Sequence, residues 1–228
     1  MFYKRTFVHL YELTFVHISM TKKIGIISQK GGVAKSTISR GLAREYSNND
    51  WNVLIADLDT SQSTSFEWNT RRMSNGIEPF ISVQQFPSVD RVLKVADNYD
   101  LVLFDGAPHA TRASEQIAQS CDLILLPTGC SKDDLDPQIR LAHELVKKGI
   151  RREKIYFVLC RVGNSDIEIE ETVDYITAST YKVIEGSLPE KTGYRRAMDE
   201  GKTITETSFK SLNKRADKVI ESIVKALN

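Results

Sequence analysis

Cys121, Cys130 and Cys160 are the only thiols in this 228-residue chain, and none pairs with another at metal-ligand spacing. A zinc or iron–sulfur centre therefore finds no ligand set. Cys121 and Cys160 flank or end apolar runs and read as small buried hydrophobes, and unpaired thiols fit a reducing cytoplasm. No apolar run approaches the ~20 residues of a membrane span. In the first segment His9, Glu12 and His17 interrupt what would be a signal-peptide core. Net charge is also small: 31 Lys and Arg against 30 Asp and Glu leave +1. Any nucleic-acid surface must then be a local patch. No repeat, low-complexity tract or long linker divides the chain, and its length suits one domain with a substantial core.

What the chain does carry is Lys30-Gly31-Gly32-Val33-Ala34-Lys35-Ser36-Thr37, placed after the apolar strand Lys23–Ser28 and opening a helical pattern. Glycines let the backbone turn tightly and aim N–H groups at phosphate oxygens. A lysine at position 35 reaches the β- and γ-phosphates, and the Ser36 hydroxyl suits Mg²⁺. The positive end of the helix adds to the anion site. Two further apolar strands each deliver carboxylates at their C-terminal ends: Leu54 to Asp57, with Asp59 two residues on, and Leu101 to Asp105. In an open α/β sheet that edge is where ligands bind.

Strand and helix patterns alternate along the chain and predict an α/β fold, doubly wound, with a mainly parallel sheet and helices on both faces. Strands are expected at Val53–Asp57, Ile81–Phe86, Leu101–Asp105, Asp122–Pro127 and Ile155–Cys160, with a short edge at Val183-Ile184. Helices are expected at Ser63–Arg72, Val89–Ala96, Arg112–Ser120, Pro137–Lys148, Ile167–Thr180 and Ser208–Leu227. Pro137 is placed near the first turn of its helix. In the last helix Leu212, Ala216, Val219, Ile220, Ile223, Val224 and Leu227 share one face and read as core packing.

The chain resembles the ParA/MinD family of deviant Walker A ATPases, and within it the small ParF-like ParA partition ATPases. The resemblance rests on the family pattern KGGxGK[ST], a strand ending D-x-D-x-Q, and a later strand ending in Asp. Here the second element is Asp57-Leu58-Asp59-Thr60-Ser61-Gln62, with one residue inserted before the Gln. Ala34 stands where the family has its third Gly; if that position needs a positive φ, the Cβ costs roughly 1 kcal/mol or more.

The resemblance implies a P-loop ATPase spanning residues 20–228; residues 1–19 read as an overlong start or a loosely held N-terminal extension, with a partner-binding arm as the alternative. Its ATP contacts would be Lys30, Gly31, Gly32, Val33, Ala34, Lys35, Ser36 and Thr37. Mg²⁺ would be held by Ser36, Asp57 and Asp105. Lys30 resembles the signature lysine that crosses a dimer interface to the partner's phosphates, and Asp59 the residue that orients the attacking water, so Lys30, Lys35 and Asp59 are the catalytic candidates. His109, beside the Asp105 strand, reads as a turn or interface residue. Cys160-Arg161 ends a strand near where the family contacts adenine. Arg195, Arg196, Lys214 and Arg215 match regions whose basic side chains grip DNA phosphates without sequence readout, away from the crevice; their plainer reading is a solvated helix face.

The function implied is a DNA partition ATPase. An ATP-bound homodimer would bind non-specific DNA on the nucleoid, and a centromere-binding ParB-type adaptor would stimulate hydrolysis. The alternatives are a MinD-like membrane-surface positioning ATPase, which needs an amphipathic membrane-binding tail, and a metabolic P-loop enzyme, which needs a small-molecule pocket with its own polar set. No membrane partner is expected.

Overall fold

A computed structural model of the chain describes residues 21–60, 64–108 and 111–228. The extension over 1–19 and His109 lie outside the described residues. Among the described residues seven strands form one sheet in the order β3-β2-β4-β1-β5-β6-β7. They are β1 (Lys22–Ile26), β2 (Val53–Asp57), β3 (Ser82–Gln85), β4 (Leu101–Asp105), β5 (Leu123–Thr128), β6 (Ile155–Val162) and β7 (Lys182–Pro189). Every pairing is parallel, as apolar runs buried on both faces predict.

Period-2 alternation sorts the strands between two cores. Val53 and Ile55 of β2 and Leu101 and Leu103 of β4 face one cluster, while Leu54, Ala56, Val102 and Phe104 face the other. The first cluster is closed by α1 (Lys35–Ser47), α2 (Thr64–Ser74) and α8 (Lys210–Leu227). The second is closed by α3 (Val89–Leu93), α4 (Thr111–Ser120), α5 (Lys132–Lys147) and α6 (Asp166–Ala178). Gly25 in β1 admits α4 closely, because a Cβ there would stand 2.5 Å from Ile117 Cγ2. The stripe expected on the last helix is the face α8 buries: Ala216, Val219, Ile220, Ile223 and Leu227 are buried, with Leu212 and Val224 packed partly against the same cluster.

Three local expectations need correction. α5 begins at Lys132, not at Pro137, because Ser131 caps it: its Oγ accepts from Asp134 N at 3.3 Å. Pro137 sits inside the helix. β7 runs for eight residues rather than two; its polar positions face outward and its register on β6 shifts twice. A helix not foreseen, α7 (Thr192–Asp199), carries Tyr194, Arg195 and Arg196. Among the described residues no helix is long and apolar enough to cross a membrane. Cys121 and Cys160 are buried, and burial pushes both thiols well above the usual range.

Candidate functional site

The order of strands places β1 between β4 and β5, so the chain switches direction across the sheet beside β1, and a crevice opens at the strand ends there. The register pairs Asp105 with Ile26 on one side and with Asp57 on the other. A cleft of about 490 Å³ follows, lined among others by Gly32, Lys35, Ser36, Thr37, Asp59 and Asp105.

The loop joining β1 to α1 takes two left-handed residues, Gly32 at φ 73° and Ala34 at φ 76°. Ala34 ends the loop as the residue before α1, and its carbonyl accepts from Ile38 N at 3.1 Å. The positive φ that a third glycine would supply is therefore present with a side chain on it. Ala34→Gly should raise the unfolding free energy by about 1 kcal/mol, since relief of the left-handed strain exceeds the extra entropy of glycine. It should also keep or raise nucleotide affinity. Denaturant melts and a nucleotide titration check this, and a loss in either would show a loop adapted to its methyl group.

Lys35 is 8% exposed. Its Nζ donates to Lys30 O at 3.3 Å, folding the side chain back over the loop. Burial lowers its pKa, and the charges of Asp105 and Asp59 pull the other way. Ser36 Oγ lies 3.5 Å from Thr64 Oγ1. Asp105 is held above the usual carboxylate range by burial, opposed by hydrogen bonds from Ser36 and Ser65 and by the charges of Arg40 and Lys35. Ser65 Oγ donates to Asp105 Oδ2 at 2.8 Å. Asp57 is pushed up to about 6 by burial and then by Asp105, against the backbone N–H groups of Asp59, Phe66 and Ser65. Its Oδ1 accepts from Asp59 N at 3.0 Å, while its Oδ2 is buried without a hydrogen-bond partner among the described residues.

The donor set suits Mg²⁺. That ion takes one or two carboxylates and keeps waters and substrate oxygens for the rest of its shell. The Ser36 hydroxyl and the Asp105 carboxylate line the cleft and supply such ligands, and the orphaned Asp57 oxygen belongs to the residue paired in register with Asp105. Among the described residues no group of three His, Cys, Asp or Glu side chains forms a closed metal cage.

Not every residue picked from sequence reaches the cleft. Val33 is buried in the fold. Asp57 is not among the residues lining the cleft; its carboxylate accepts from Asp59 N and feels the charge of Asp105. The Lys30 ammonium turns to Asp134 Oδ1 at 2.9 Å, with both side chains about one-third exposed. Arg196, Lys214 and Arg215 lie on α7 and α8. Arg195, expected away from the crevice, lines it instead and pairs with Glu190 at 3.4 Å; the helix that carries it packs against α2, which sequence spacing gave no hint of.

Two cleft residues escape sequence reasoning as well. Arg161 is placed there only by resemblance, at a strand end near the adenine contact, with no bond to the phosphate loop foreseen. It adopts φ 56° and donates from Nη1 to Gly32 O at 2.9 Å, while Glu190 accepts from its Nε. Arg40 lines the cleft from α1. Its only signal is spacing: it stands four residues after Ser36, on the same helical face.

Known structures share this architecture. The chain superposes on the cell division ATPase MinD of Pyrococcus furiosus with a TM-score of 0.70 at 21% identity, covering 90% of this chain and 99% of that one. MinD of Pyrococcus horikoshii, solved with Mg-ADP, gives 0.70 at 19%, covering 90% and 97%. A putative plasmid partition protein of Borrelia burgdorferi, bound to AMPPNP, gives 0.67 at 18%, covering 90% and 99%. At these identities the likeness is one of fold. No curated protein sequence matches the chain. Residues 24–204 match the CobQ/CobB/MinD/ParA nucleotide binding domain, and the chain belongs to that family.

Proposed function

We propose that this chain is a partition ATPase: with ATP and Mg²⁺ two copies close into a sandwich dimer, the dimer binds DNA without sequence preference, and a centromere-binding adaptor stimulates hydrolysis. The observation that carries the reading is the convergence of Lys35, Ser36, Asp59 and Asp105 on one cleft. Phosphoryl transfer to water needs placed charges more than covalent help. Lys35 meets the phosphates, Ser36 and Asp105 hold the metal, and Asp59 directs the water. Bound Mg²⁺ would neutralise charge on the β- and γ-phosphates. The Lys30 ammonium turns to Asp134 rather than into its own cleft, which supports a role on the phosphates of a second copy.

DNA rather than membrane is favoured by the last two helices. The apolar face of α8 is buried in the core, so that helix offers no apolar face to lipid. Its outer face carries Lys214 and Arg215. Tyr194 Oη donates to Leu212 O at 2.8 Å and ties α7, with Arg196, to the start of α8.

Duplex-DNA binding at several salt concentrations, with ATP and with ADP, tests the reading. ATP should favour binding, because closure doubles the basic surface. Replacing Arg196, Lys214 and Arg215 by Ala should weaken binding to every sequence alike. The slope of log affinity against log salt should flatten by about 0.9 for each DNA phosphate that is no longer neutralised. Arg195 stays intact in this variant because it lines the cleft. Indifference of the parent to DNA in every nucleotide state would move the membrane alternative ahead, with vesicle sedimentation as its check.

A further inference from the structure

Arg40 is 6% exposed and lies among the acidic groups of the cleft. Its Nε donates to Ser65 Oγ at 3.2 Å. A guanidinium nitrogen only donates, so the Ser65 oxygen must accept there, and its single proton is left for Asp105 Oδ2 at 2.8 Å. The direction of the chain Arg40 to Ser65 to Asp105 is thereby fixed. On another side the guanidinium carbon sits 5.2 Å from the centroid of Trp68, a ring also approached by Arg72 at 5.6 Å. Trp68 Nε1 donates to Lys202 O at 2.8 Å, which holds the ring in place.

The two arginines differ in one respect. Arg72 bonds the carboxylate of Glu206 and the carbonyls of Glu78, Pro79 and Gly201. Among the described residues Arg40 has no carboxylate at hydrogen-bond distance, and its Nη2 is buried without a partner. Leaving such a nitrogen unsatisfied costs about 1–3 kcal/mol. Desolvation lowers its pKa to about 10 while Asp105 and Asp57 oppose that and Arg71 adds to it, so the group is cationic at neutral pH.

We propose that Arg40 is a positioning residue for the metal-bound nucleotide: acting through Ser65, it holds Asp105 in the orientation in which that carboxylate and the Ser36 hydroxyl share a divalent cation. The proposal rests on the reading of the cleft as a Mg²⁺–nucleotide site. Ser65 occupies one oxygen of Asp105 and so orients the carboxyl plane. Arg40, wedged between Ser65 and Trp68, keeps Ser65 from turning its proton elsewhere. Its charge also offsets the two carboxylates that β2 and β4 set side by side at Asp57 and Asp105. Arg40 itself need not touch the nucleotide.

Calorimetric titration of ADP, with Mg²⁺ and with EDTA, tests this on the full chain. The gain in ADP affinity that Mg²⁺ confers is the quantity read. Arg40→Gln and Ser65→Ala should each cut that gain by about tenfold, the usual effect of losing an outer partner of a metal ligand. ADP affinity in EDTA should stay at the parent value in Ser65→Ala, while Arg40→Gln, which also removes a cation from the cleft, should lower it by a smaller factor than it lowers affinity with Mg²⁺. The double variant should lose no more than Arg40→Gln alone, because both act on one chain of bonds. Equal losses with Mg²⁺ and with EDTA would make Arg40 a structural residue only and overturn the proposal, as would an undiminished gain in Ser65→Ala. The latter variant decides the matter if Arg40→Gln does not fold, since it removes a hydroxyl and no charge. A parent that binds ADP equally with and without Mg²⁺ would instead overturn the metal-site reading itself.

Discussion

Lys35→Ala should lose measurable binding of both ATP and ADP while remaining folded. The side chain is buried at the head of α1 and bends over the loop to Lys30 O. In that position its ammonium has given up most of its water. Desolvation lowers its pKa, and the nearby Asp105 and Asp59 only partly offset the effect. An anion entering the cleft would complete the solvation that burial removed. Truncating one member of such a desolvated charge pair costs about 3–5 kcal/mol, or roughly two to four orders of magnitude in Kd. The fold should tolerate the loss, since a buried cation whose only hydrogen bond among the described residues is to a carbonyl stabilises little. Fluorescent-nucleotide titration and a thermal melt together check the claim. Affinity within threefold of the parent would mean that the loop amides and the helix end carry the phosphates without the lysine.

The parts of the molecule legible in sequence are those fixed by local pattern. Val53–Asp57 and Leu101–Asp105 are apolar runs closed by a carboxylate, and both appear as buried central strands with those carboxylates in register. The phosphate loop is legible because two glycines and a lysine at that spacing have few other uses. What escapes is set by distant partners. Ser131 as a helix cap is readable in principle, with two acidic residues close behind it, but Pro137 is the stronger local signal and draws the boundary to itself. α7 is short, begins at Thr192-Gly193 and packs against α2, more than a hundred residues away, while polar outer positions hide most of the length of β7. Arg40 and Arg72 look like surface residues of amphipathic helices. Arg72 is buried because Glu206, more than a hundred residues away, meets it, and no window of sequence holds both.

That same pair sets the largest stability effect. Glu206→Gln should destabilise the protein by about 3–5 kcal/mol, the usual cost of leaving a buried charge unpaired and a large share of the ~5–15 kcal/mol that holds a domain folded. Arg72 is fully buried, and its Nη1 and Nη2 bond the two Glu206 oxygens at 2.8 and 3.2 Å. Glu206 also accepts from Thr203 N at 2.8 Å and lies 3.5 Å from Arg44 Nε. It ties α1, α2 and the segment before α8 together, so the loss falls on a junction. Burial alone would raise the Glu206 pKa, but the Arg72 hydrogen bonds and charge, with Arg44 and the Thr203 amide, outweigh it and bring it below 4.5. A carboxylate whose folded pKa is depressed stabilises fully above its ordinary pKa and loses that contribution as pH falls through the folded value. The parent should therefore weaken on the acid side, below pH 4.5, and the Gln variant should lack that part of the decline. Arg72→Met with Glu206→Leu, which removes both charges and keeps apolar bulk, should recover more than half of the loss. Urea melts from about pH 3 to about pH 8 on the parent and both variants decide the matter. A Gln variant as stable as the parent at neutral pH would show that the backbone carbonyls around Arg72 satisfy its charge without Glu206.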